Sequence, residues 1–412
     1  MRLRRVFELR SEEGPTGAED MTRRTFVGLA VSGMAALPSL GRLRGSANPS
    51  PPPSQVNVTS AIRTNIEDIR KIPRTPLSMP GKYPGRVVKV LTGNAAAGGK
   101  IDLAKTRRSL DRGLMELTGR STARDAWREF VSPDDRVGIK VNPIAPRLPT
   151  SLELTRAVID SLREAGVPLA NIAVWDRRQV DLEGAGYDKL SRDPGVAVLS
   201  TEVKGANGDF YDAQGELWSL ANIDREAPAY FAEIEGSYDR DDLPYMVNGG
   251  KWSYFSKLVT QRFTKIINLP ILKTCQPVGI SFAMKNLAYG SLSNTSRLHA
   301  VGVNAIGEAC AFPCLRDKAV LQIGDALRAS YYGGLGANPK YTWDANLLLI
   351  GTDPVAVDLA TLDFVTGVRI ARGVQLTEDP KNRIYLDIAA GLGLGVADRS
   401  KLDLREAAVP PD

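Results

Sequence analysis

The residue types best suited to chemistry in this chain fall in one short stretch between two predicted strands. Lys273, Cys275, Lys285, Asn286 and His299 combine amines, a thiol, an amide and an imidazole. Such groups bind anions, act as nucleophiles and ligate metals. This set suggests catalytic roles for Lys273, Cys275 and Lys285, cofactor binding by Lys285 and Asn286, and metal ligation by His299 with Cys275. Structural roles, such as an ion pair for Lys273 and core packing for Cys275, stay open as alternatives.

Four more charged residues stand at predicted strand ends, where open α/β sheets place their ligands. Lys140 is predicted to bind a cofactor or an anionic ligand. Asp325 and Asp353 are predicted to bind a cofactor, and they and Asp176 are predicted to act as acids or bases or as metal ligands. The three aspartates suit a second role equally well, because aspartate is also a common helix N-cap. The sequence leaves both roles open.

Cysteine and histidine are scarce. The chain has three cysteines, Cys275, Cys310 and Cys314, and one histidine, His299, which excludes catalysis built on several histidines. A Cys310–Cys314 disulfide would suit an exported protein. All three cysteines together with His299 would instead form a zinc site, and the sequence leaves these alternatives open. The clustered cysteines of a ferredoxin are missing, so an iron–sulfur cluster is not expected.

The segments that must position these residues alternate between strand and helix. Residues 136–141 and 172–175 have the composition of buried strands. Between them, Thr150 or Ser151 caps a helix that runs to Ala165 and stops at Gly166. Strand, helix and strand in this order predict a parallel βαβ unit. The predicted fold class is α/β, with a mixed or parallel sheet flanked by helices. Further strands are predicted at 87–91, 196–200, 265–269, 320–323 and 347–350, helices at 103–117 and 354–365, and an irregular insertion at about 205–260.

Two glycine-rich loops are candidate ligand sites. Gly93–Lys100 lies between a strand and a helix, but its spacing is one residue away from a phosphate-binding loop and Ile101 replaces the magnesium-binding Ser or Thr. A plain loop is therefore favoured over a nucleotide site. Gly333–Gly336 follows a strand and is predicted to form a wall of the site.

The amino-terminal segment has the pattern of a twin-arginine export signal. Arg23 and Arg24 stand before Phe26–Leu40, an apolar run of 15 residues without a charge. A spanning helix needs about 20 residues, and Gly45–Ala47 offers small residues for cleavage. We expect a periplasmic or other extracytoplasmic protein that engages the twin-arginine translocase and keeps no stable transmembrane span once cleaved.

The predicted organisation is a signal over 1–47, a proline-rich tether and lead-in over 48–84, and one α/β domain over 85–412. Met21 is an alternative start to Met1. The net charge of +6 falls to +3 without the signal, because residues 1–47 hold eight arginines and five acidic residues. Such a mixed surface does not indicate nucleic-acid binding. The pairs Arg107-Arg108 and Arg177-Arg178 are predicted to lie on solvated faces.

Several segments, by their order and spacing, resemble the domain of unknown function 362 family. These segments are Val137–Asn142, Ser151–Gly166, Ile267–Thr274, Met284–Leu287 and Thr352–Asp358. The resemblance spans about Val87 to Leu404 and implies an α/β fold, while the family's molecular function is not established. Where its members commonly show Lys-Thr-His, this chain has Lys273-Thr274-Cys275. The ferredoxin module of some relatives is missing here.

The chain is also similar, more distantly, to the layout of nickel-dependent lactate racemases. That resemblance implies Lys285 as the attachment lysine of a nickel-pincer nucleotide and His299 as the nickel ligand. Cys275 and Asp176 would stand where those enzymes use histidines. Because the ordinary pKa of aspartate is far below neutrality, a shared fold is expected and a shared reaction is not.

The sequence supports two functional expectations. One is an exported enzyme, dependent on a cofactor or a metal, that acts on a small anionic ligand held by Lys140, Lys273 and Lys285. The cofactor is unknown, with a metal or a nickel-pincer-like nucleotide as the candidates. The alternative is a non-catalytic extracytoplasmic binding protein whose insertion at 205–260 closes over a small-molecule ligand.

Overall fold

The computed structural model describes residues 62–409, except 145–146, 235–249, 276–278, 300–302 and 375–380. The predicted export signal, with Arg23 and Arg24, and residues 48–61 of the predicted tether and lead-in lie outside the described residues. So does part of the predicted insertion.

Within the described residues, eight strands form the central sheet. They are β1 (Arg86–Leu91), β2 (Val137–Lys140), β3 (Ile172–Arg178), β4 (Ala197–Glu202), β5 (Lys265–Asn268), β6 (Ala319–Ser330), β7 (Thr342–Gly351) and β8 (Asp403–Ala408). Their order is β8-β1-β7-β6-β5-β2-β3-β4. Strand β7 runs antiparallel to both of its neighbours, β1 and β6, and every other pairing is parallel. The sheet is therefore mixed, and the α/β prediction is confirmed.

Helices cover both faces of this sheet. They are α1 (Ile66–Arg70), α2 (Leu103–Thr118), α3 (Ala123–Arg128), α4 (Leu152–Ala165), α5 (Gln179–Gly184), α6 (Ala283–Ser291), α7 (Ser296–His299), α8 (Val303–Cys310), α9 (Pro313–Arg316), α10 (Pro354–Ala371) and α11 (Lys381–Gly391). Strand residues alternate between the faces, so Val88 packs with α2 to α4 while Val87 packs with α6, α8, α10 and α11. The result is a helix–sheet–helix sandwich.

The βαβ unit forms as the sequence predicts. Ser151 caps α4 by accepting a hydrogen bond from the Leu154 amide, and Gly166 ends the helix at a φ of 107°, a left-handed value that glycine tolerates best. The helix returns the chain so that β2 and β3 pair in parallel. This brings the carboxyl ends of both strands to one edge of the sheet.

The predicted insertion is irregular, with short strands at Tyr230–Phe231 and Trp252–Ser253 as its main pairing. Its described parts pack against the segment that follows α6. Arg297 donates to the carbonyls of Ala232 and Ile234, and Asn294 donates to the carbonyl of Trp252. A separate hairpin, Lys273–Cys275 with Gly279–Ser281, follows β5 and carries two of the predicted site residues.

Candidate functional site

The carboxyl ends of β2, β3 and β5 bring together residues that the sequence predicts for a site. Lys140 is the last residue of β2 and lies in register with Trp175 on one side and Asn268 on the other. Asp176 follows Trp175 directly. Because neighbouring parallel strands end at the same edge, Lys140 and Asp176 meet there.

A buried network of polar side chains fixes this edge. Lys140 Nζ pairs with Asp176 and donates to Asn286 Oδ1 at 3.1 Å. Asn286 Nδ2 donates to Asn268 Oδ1 at 2.7 Å, and Asn268 Nδ2 donates to Gln322 Oε1 at 2.8 Å. Burial lowers the pKa of Lys140, although the carboxylate of Asp176 opposes that shift. These five residues, the buried network, tie four strands to α6.

Helix α10 also supports the amino terminus of α6. The first residue of α6 is preceded by Phe282, which offers no capping side chain. Asp358 supplies the missing acceptor, with hydrogen bonds from the amides of Ala283 at 2.7 Å and Met284 at 3.2 Å. Burial raises the pKa of Asp358 to about 7. Sequence reasoning missed this residue, since a cap contributed by another helix leaves no local signal.

Lys285 and Cys275 form the contact best suited to a chemical reaction. Lys285 Nζ lies 3.1 Å from Cys275 Sγ, and the ammonium is 5.3 Å from the centre of the Tyr289 ring. Both Cys275 and Lys285 are buried, with 5% and 8% exposure. An amine beside a thiol suits a covalent attachment point or a nucleophile supported by a positive charge.

His299 completes this group, which we call the reactive cluster: Cys275, Lys285, Tyr289 and His299. The imidazole packs against the Tyr289 ring with centroids 4.8 Å apart. Its Nδ1 lies 3.0 Å from the Thr295 carbonyl. A carbonyl can only accept, so Nδ1 carries the proton and Nε2 keeps its lone pair.

The protonation state of His299 suits ligation or base chemistry. The residue is exposed, yet it is surrounded by enough protein that desolvation is the main cause lowering its pKa, to about 4. The positive charges of Lys285 and Arg177 lower it further. The imidazole is therefore neutral at pH 7, the form in which Nε2 binds a metal or accepts a proton.

Lys273 lies beside the reactive cluster but is fully buried. Its ammonium donates to the Ile144 carbonyl, in the segment after β2. Burial lowers its pKa to about 7, and the positive charges of Lys140 and Lys285 act in the same direction, while the carboxylates of Asp176 and Asp181 oppose it. The structure thus brings Lys273, Lys285 and Cys275 together, with Lys273 on the inner side.

Sequence reasoning also missed a set of charges at the ends of β3 and β4. The solvated face predicted for Arg177 and Arg178 is wrong: their Nε atoms lie 3.3 and 3.9 Å from the Glu202 carboxylate, which is 1% exposed. Burial raises the pKa of Glu202 to about 7. Arg177 also donates to Thr295, beside His299.

The loop predicted as a wall contacts the hairpin that carries Cys275. The amide of Gly334 donates to Thr274 Oγ1 at 3.0 Å, one residue before Cys275. This loop therefore packs against the strand residues next to the reactive cluster.

Asp325 and Asp353 are not part of the reactive cluster. Asp325 accepts from the Ser151 amide and hydroxyl, both at 2.8 Å, and so joins β6 to the start of α4. Asp353 is the N-cap of α10. Because β7 runs antiparallel, Asp353 lies at the opposite edge of the sheet, where it accepts from the Gly85 amide at 3.0 Å.

Neither of the cysteine alternatives forms. Cys275, Cys310 and Cys314 are free thiols. Within the described ranges, no group of three or more histidine, cysteine, aspartate or glutamate side chains is arranged to hold a metal. The Cys₃His zinc set is therefore not assembled, and Cys310 instead contacts the Met284 carbonyl at 3.5 Å. Cys275 and His299 could supply at most two ligands to a metal that brings others with it.

No helix in the described part of the chain has both the length and the apolar character needed to cross a membrane.

Comparison with known proteins gives a family and little else. Among solved structures, the crystal structure of a Thermotoga maritima protein from a structural genomics consortium is similar, with 10% sequence identity and a TM-score of 0.35. The alignment covers 66% of this chain and 60% of that one, so the chain spans less than two thirds of that protein. No curated protein matches. A family model described as a domain of unknown function (DUF362) matches residues 137–363, more than half of the sequence, and the chain belongs to the DUF362 family.

Proposed function

We propose that this protein is an exported enzyme that acts on a small anionic ligand through a cofactor held at Lys285. The observation that carries the proposal is the 3.1 Å contact between Lys285 Nζ and Cys275 Sγ, beside a neutral His299 whose Nε2 keeps its lone pair. Perturbed ionisable groups gathered at the carboxyl edge of a sheet favour a functional site over plain packing.

The charge around the reactive cluster supports an anionic ligand. Five basic residues gather at this edge against three carboxylates, and these are Lys140, Lys273, Lys285, Arg177, Arg178, Asp176, Asp181 and Glu202. Lys140 is paired with Asp176, and the two arginines lie beside the Glu202 carboxylate. Among the described residues, Lys285 Nζ has only the thiol as its hydrogen-bond partner. It is therefore the amine best placed to meet an anion or an electrophilic carbon.

A metal-bearing nucleotide fits these residues in part. Lys285 offers the attachment amine, and His299 Nε2 offers one nitrogen ligand of the borderline type that suits nickel or zinc. When bound, such a group supplies a metal centre for proton or hydride chemistry. Asp176 does not fit the part of a racemase acid or base, because its Oδ1 is held by the buried Lys140. We therefore propose attachment of a cofactor at Lys285 but not a racemase reaction.

The test uses mature protein from a host that can carry out twin-arginine export. Intact-mass spectrometry with elemental analysis should find an added mass on the peptide containing Lys285, together with a metal. Lys285→Met should lose both while its melting temperature stays close to that of the parent. Lys189→Met, which changes an exposed lysine, should keep both.

A bare mass without metal would overturn the cofactor proposal. Bare protein whose melting temperature rises with small anionic metabolites would point to the binding-protein alternative, since a ligand that binds only the folded state stabilises it. The packing of the insertion against Arg297 is the observation that favours this alternative, because it covers the segment between α6 and His299. Cytoplasmic retention of the full chain, with no loss of the amino-terminal segment, would contradict the export part.

A further inference from the structure

A cleft of about 500 Å³ opens at the same edge of the sheet, beyond the segment that covers Lys273. It lies between the hairpin of Ala96–Ala97 and Lys100–Ile101, the start of α4, and β6. Its volume is in the range of small-molecule sites. None of the four residues of the reactive cluster lines it, so a ligand bound here would be distinct from the cofactor of the proposed function.

Three basic side chains from separate elements line this cationic cleft: Lys100, Arg147 and Arg328. Arg328 Nε pairs with Asp344 at 3.2 Å, and its Nη1 donates to the Gly99 carbonyl at 3.4 Å. The side chains of Lys100 and Arg147 form no hydrogen bond or ion pair with any residue in the described part of the chain. Two positive side chains without a partner among the described residues, beside an arginine that is already paired, favour an anion in this cavity.

The two acidic residues that line the cleft, Asp325 and Glu153, differ in whether their carboxylates are already used inside the protein. Both oxygens of Asp325 are used inside the protein, Oδ2 by the amide and hydroxyl of Ser151 and Oδ1 by the Leu327 amide at 3.0 Å. Glu153, in the first turn of α4, lines the cleft and makes no side-chain hydrogen bond or ion pair with the described residues. Its carboxylate can accept a hydrogen bond from a ligand hydroxyl.

The glycine-rich loop explains how Lys100 reaches this cleft. Gly98 and Gly99 have φ values of 57° and 81°, which suit the tight turn of a two-residue hairpin. The loop does not lead straight into a helix terminus as a phosphate-binding loop does. Helix α2 begins later and is capped by Asp102, whose carboxylate accepts from the Lys105 amide at 2.9 Å. The hairpin turns Lys100 into the wall of the cleft instead.

We propose that the cationic cleft binds the phosphate group of a small hydroxylated molecule, with Lys100, Arg147 and Arg328 on the phosphate and Glu153 on a neighbouring hydroxyl. A phosphate group carries about two negative charges near pH 7 and three peripheral oxygens. Arginine forks and a lysine match both features.

The experiment is calorimetric titration of the mature chain at low ionic strength with two probes, inorganic phosphate and glycerol 3-phosphate. We expect saturable binding of both, with the hydroxylated probe bound more tightly. The double variant Lys100→Ala, Arg147→Ala should weaken both by at least tenfold without a change in melting temperature, because both side chains are exposed. Glu153→Gln should weaken glycerol 3-phosphate alone.

Arg124→Ala and Lys189→Ala are the matched controls, since both side chains are exposed and neither lines the cleft. Both variants should bind the probes as the parent does. Non-saturable binding, or equal affinity in the parent and the double variant, would overturn the proposal. Any mass added at Lys285 should persist in the double variant Lys100→Ala, Arg147→Ala, because neither residue belongs to the reactive cluster, so this test and the test of the reactive cluster fail independently.

Discussion

Lys140 Nζ lies 3.1 Å from Asn286 Oδ1, so the last residue of β2 holds the helix residue that comes directly after Lys285. Lys140 is fully buried and is itself paired with Asp176. A charged group at this depth is stable only when its partners are in place. The backbone of Lys285 is therefore fixed by the sheet, which leaves its side chain available to the reactive cluster.

This packing predicts an unusual response to alanine in α6. A Cβ on Gly290 would overlap Lys140 Cε and Nζ and would come within 3.4 Å of Asp176 Oδ1. Alanine normally stabilises a helix interior by up to about 1 kcal/mol relative to glycine. At Gly290 we expect the opposite, a loss of about 2–4 kcal/mol, because the buried pair must move apart. Urea denaturation measures the free energy of unfolding.

Gly367→Ala in α10 is the matched control for that prediction. A Cβ there meets nothing within 4 Å, so this variant should be as stable as the parent or slightly more stable. If Gly290→Ala gained stability as Gly367→Ala does, the close packing of α6 on the Lys140–Asp176 pair would be wrong.

Glu202 predicts a dependence of stability on pH. Burial raises its pKa from 4.5 to about 7, so the folded protein holds this proton more tightly than the unfolded chain does. The stability that the group contributes is present below about pH 4.5 and is lost as the pH rises through 7. Glu202→Gln cannot ionise. It should match the parent at pH 4 and exceed it at pH 8 by up to about 3 kcal/mol, at 1.36 kcal/mol per pKa unit.

Denaturation curves at both pH values test this difference, with the exposed Glu226→Gln as the control. Part of the loss of stability that the parent shows with rising pH should persist in Glu202→Gln. Burial also raises the pKa of Asp325 and Asp353 to about 6 and of Asp358 to about 7, so these groups add to that loss. A Glu202→Gln variant that is less stable than the parent at pH 8 would mean that the ion pairs with Arg177 and Arg178 outweigh the burial of the carboxylate.

A substitution at Asp353 tests whether this residue stabilises the fold or binds a cofactor. Its carboxylate accepts from three amides, those of Ala356 at 2.9 Å, Gly85 at 3.0 Å and Val396 at 2.9 Å. Asp353→Asn keeps only one acceptor oxygen and should cost about 1–3 kcal/mol of stability. Any mass added at Lys285 should remain, because Asp353 lies at the other edge of the sheet. Loss of that mass at an unchanged melting temperature would instead make Asp353 a cofactor ligand.

Local patterns predict much of the framework. Ser151, the apolar spacing of α4 and Gly166 predict a capped helix between two strands, and all three features are present. These signals are short in sequence, so one chain suffices to recognise them. The direction of β7 has no such signal. Its composition is that of any buried strand, and only its pairing with β1 and β6 shows that it runs antiparallel to them. That reversal places Asp353 away from the predicted site.

Long-range contacts account for the other differences. Asp358 lies 75 positions after Ala283 in the chain and supports α6 by accepting from the Ala283 amide at 2.7 Å. Arg177 and Arg178 have the sequence pattern of a solvated pair, yet they face Glu202 across a strand pairing. The sequence predicts the reactive residues only as a grouping along the chain, because their relative geometry depends on the hairpin and on α6 together.

The cysteines offer a final prediction that separates the structure from the disulfide alternative. Cys310 and Cys314 are free, and burial raises the pKa of Cys314 to about 12 and that of Cys310 above its usual range. Thiols that the protein holds protonated react slowly with disulfide reagents. Protein that is denatured without reductant should therefore titrate three thiols per chain, whereas Cys310 and Cys314 should react far more slowly in the native protein. Cys314→Ser should lower the denatured count to two. A count of one thiol in the unreduced parent would show that a disulfide joins Cys310 to Cys314, and the packing of α8 against α9 would need revision.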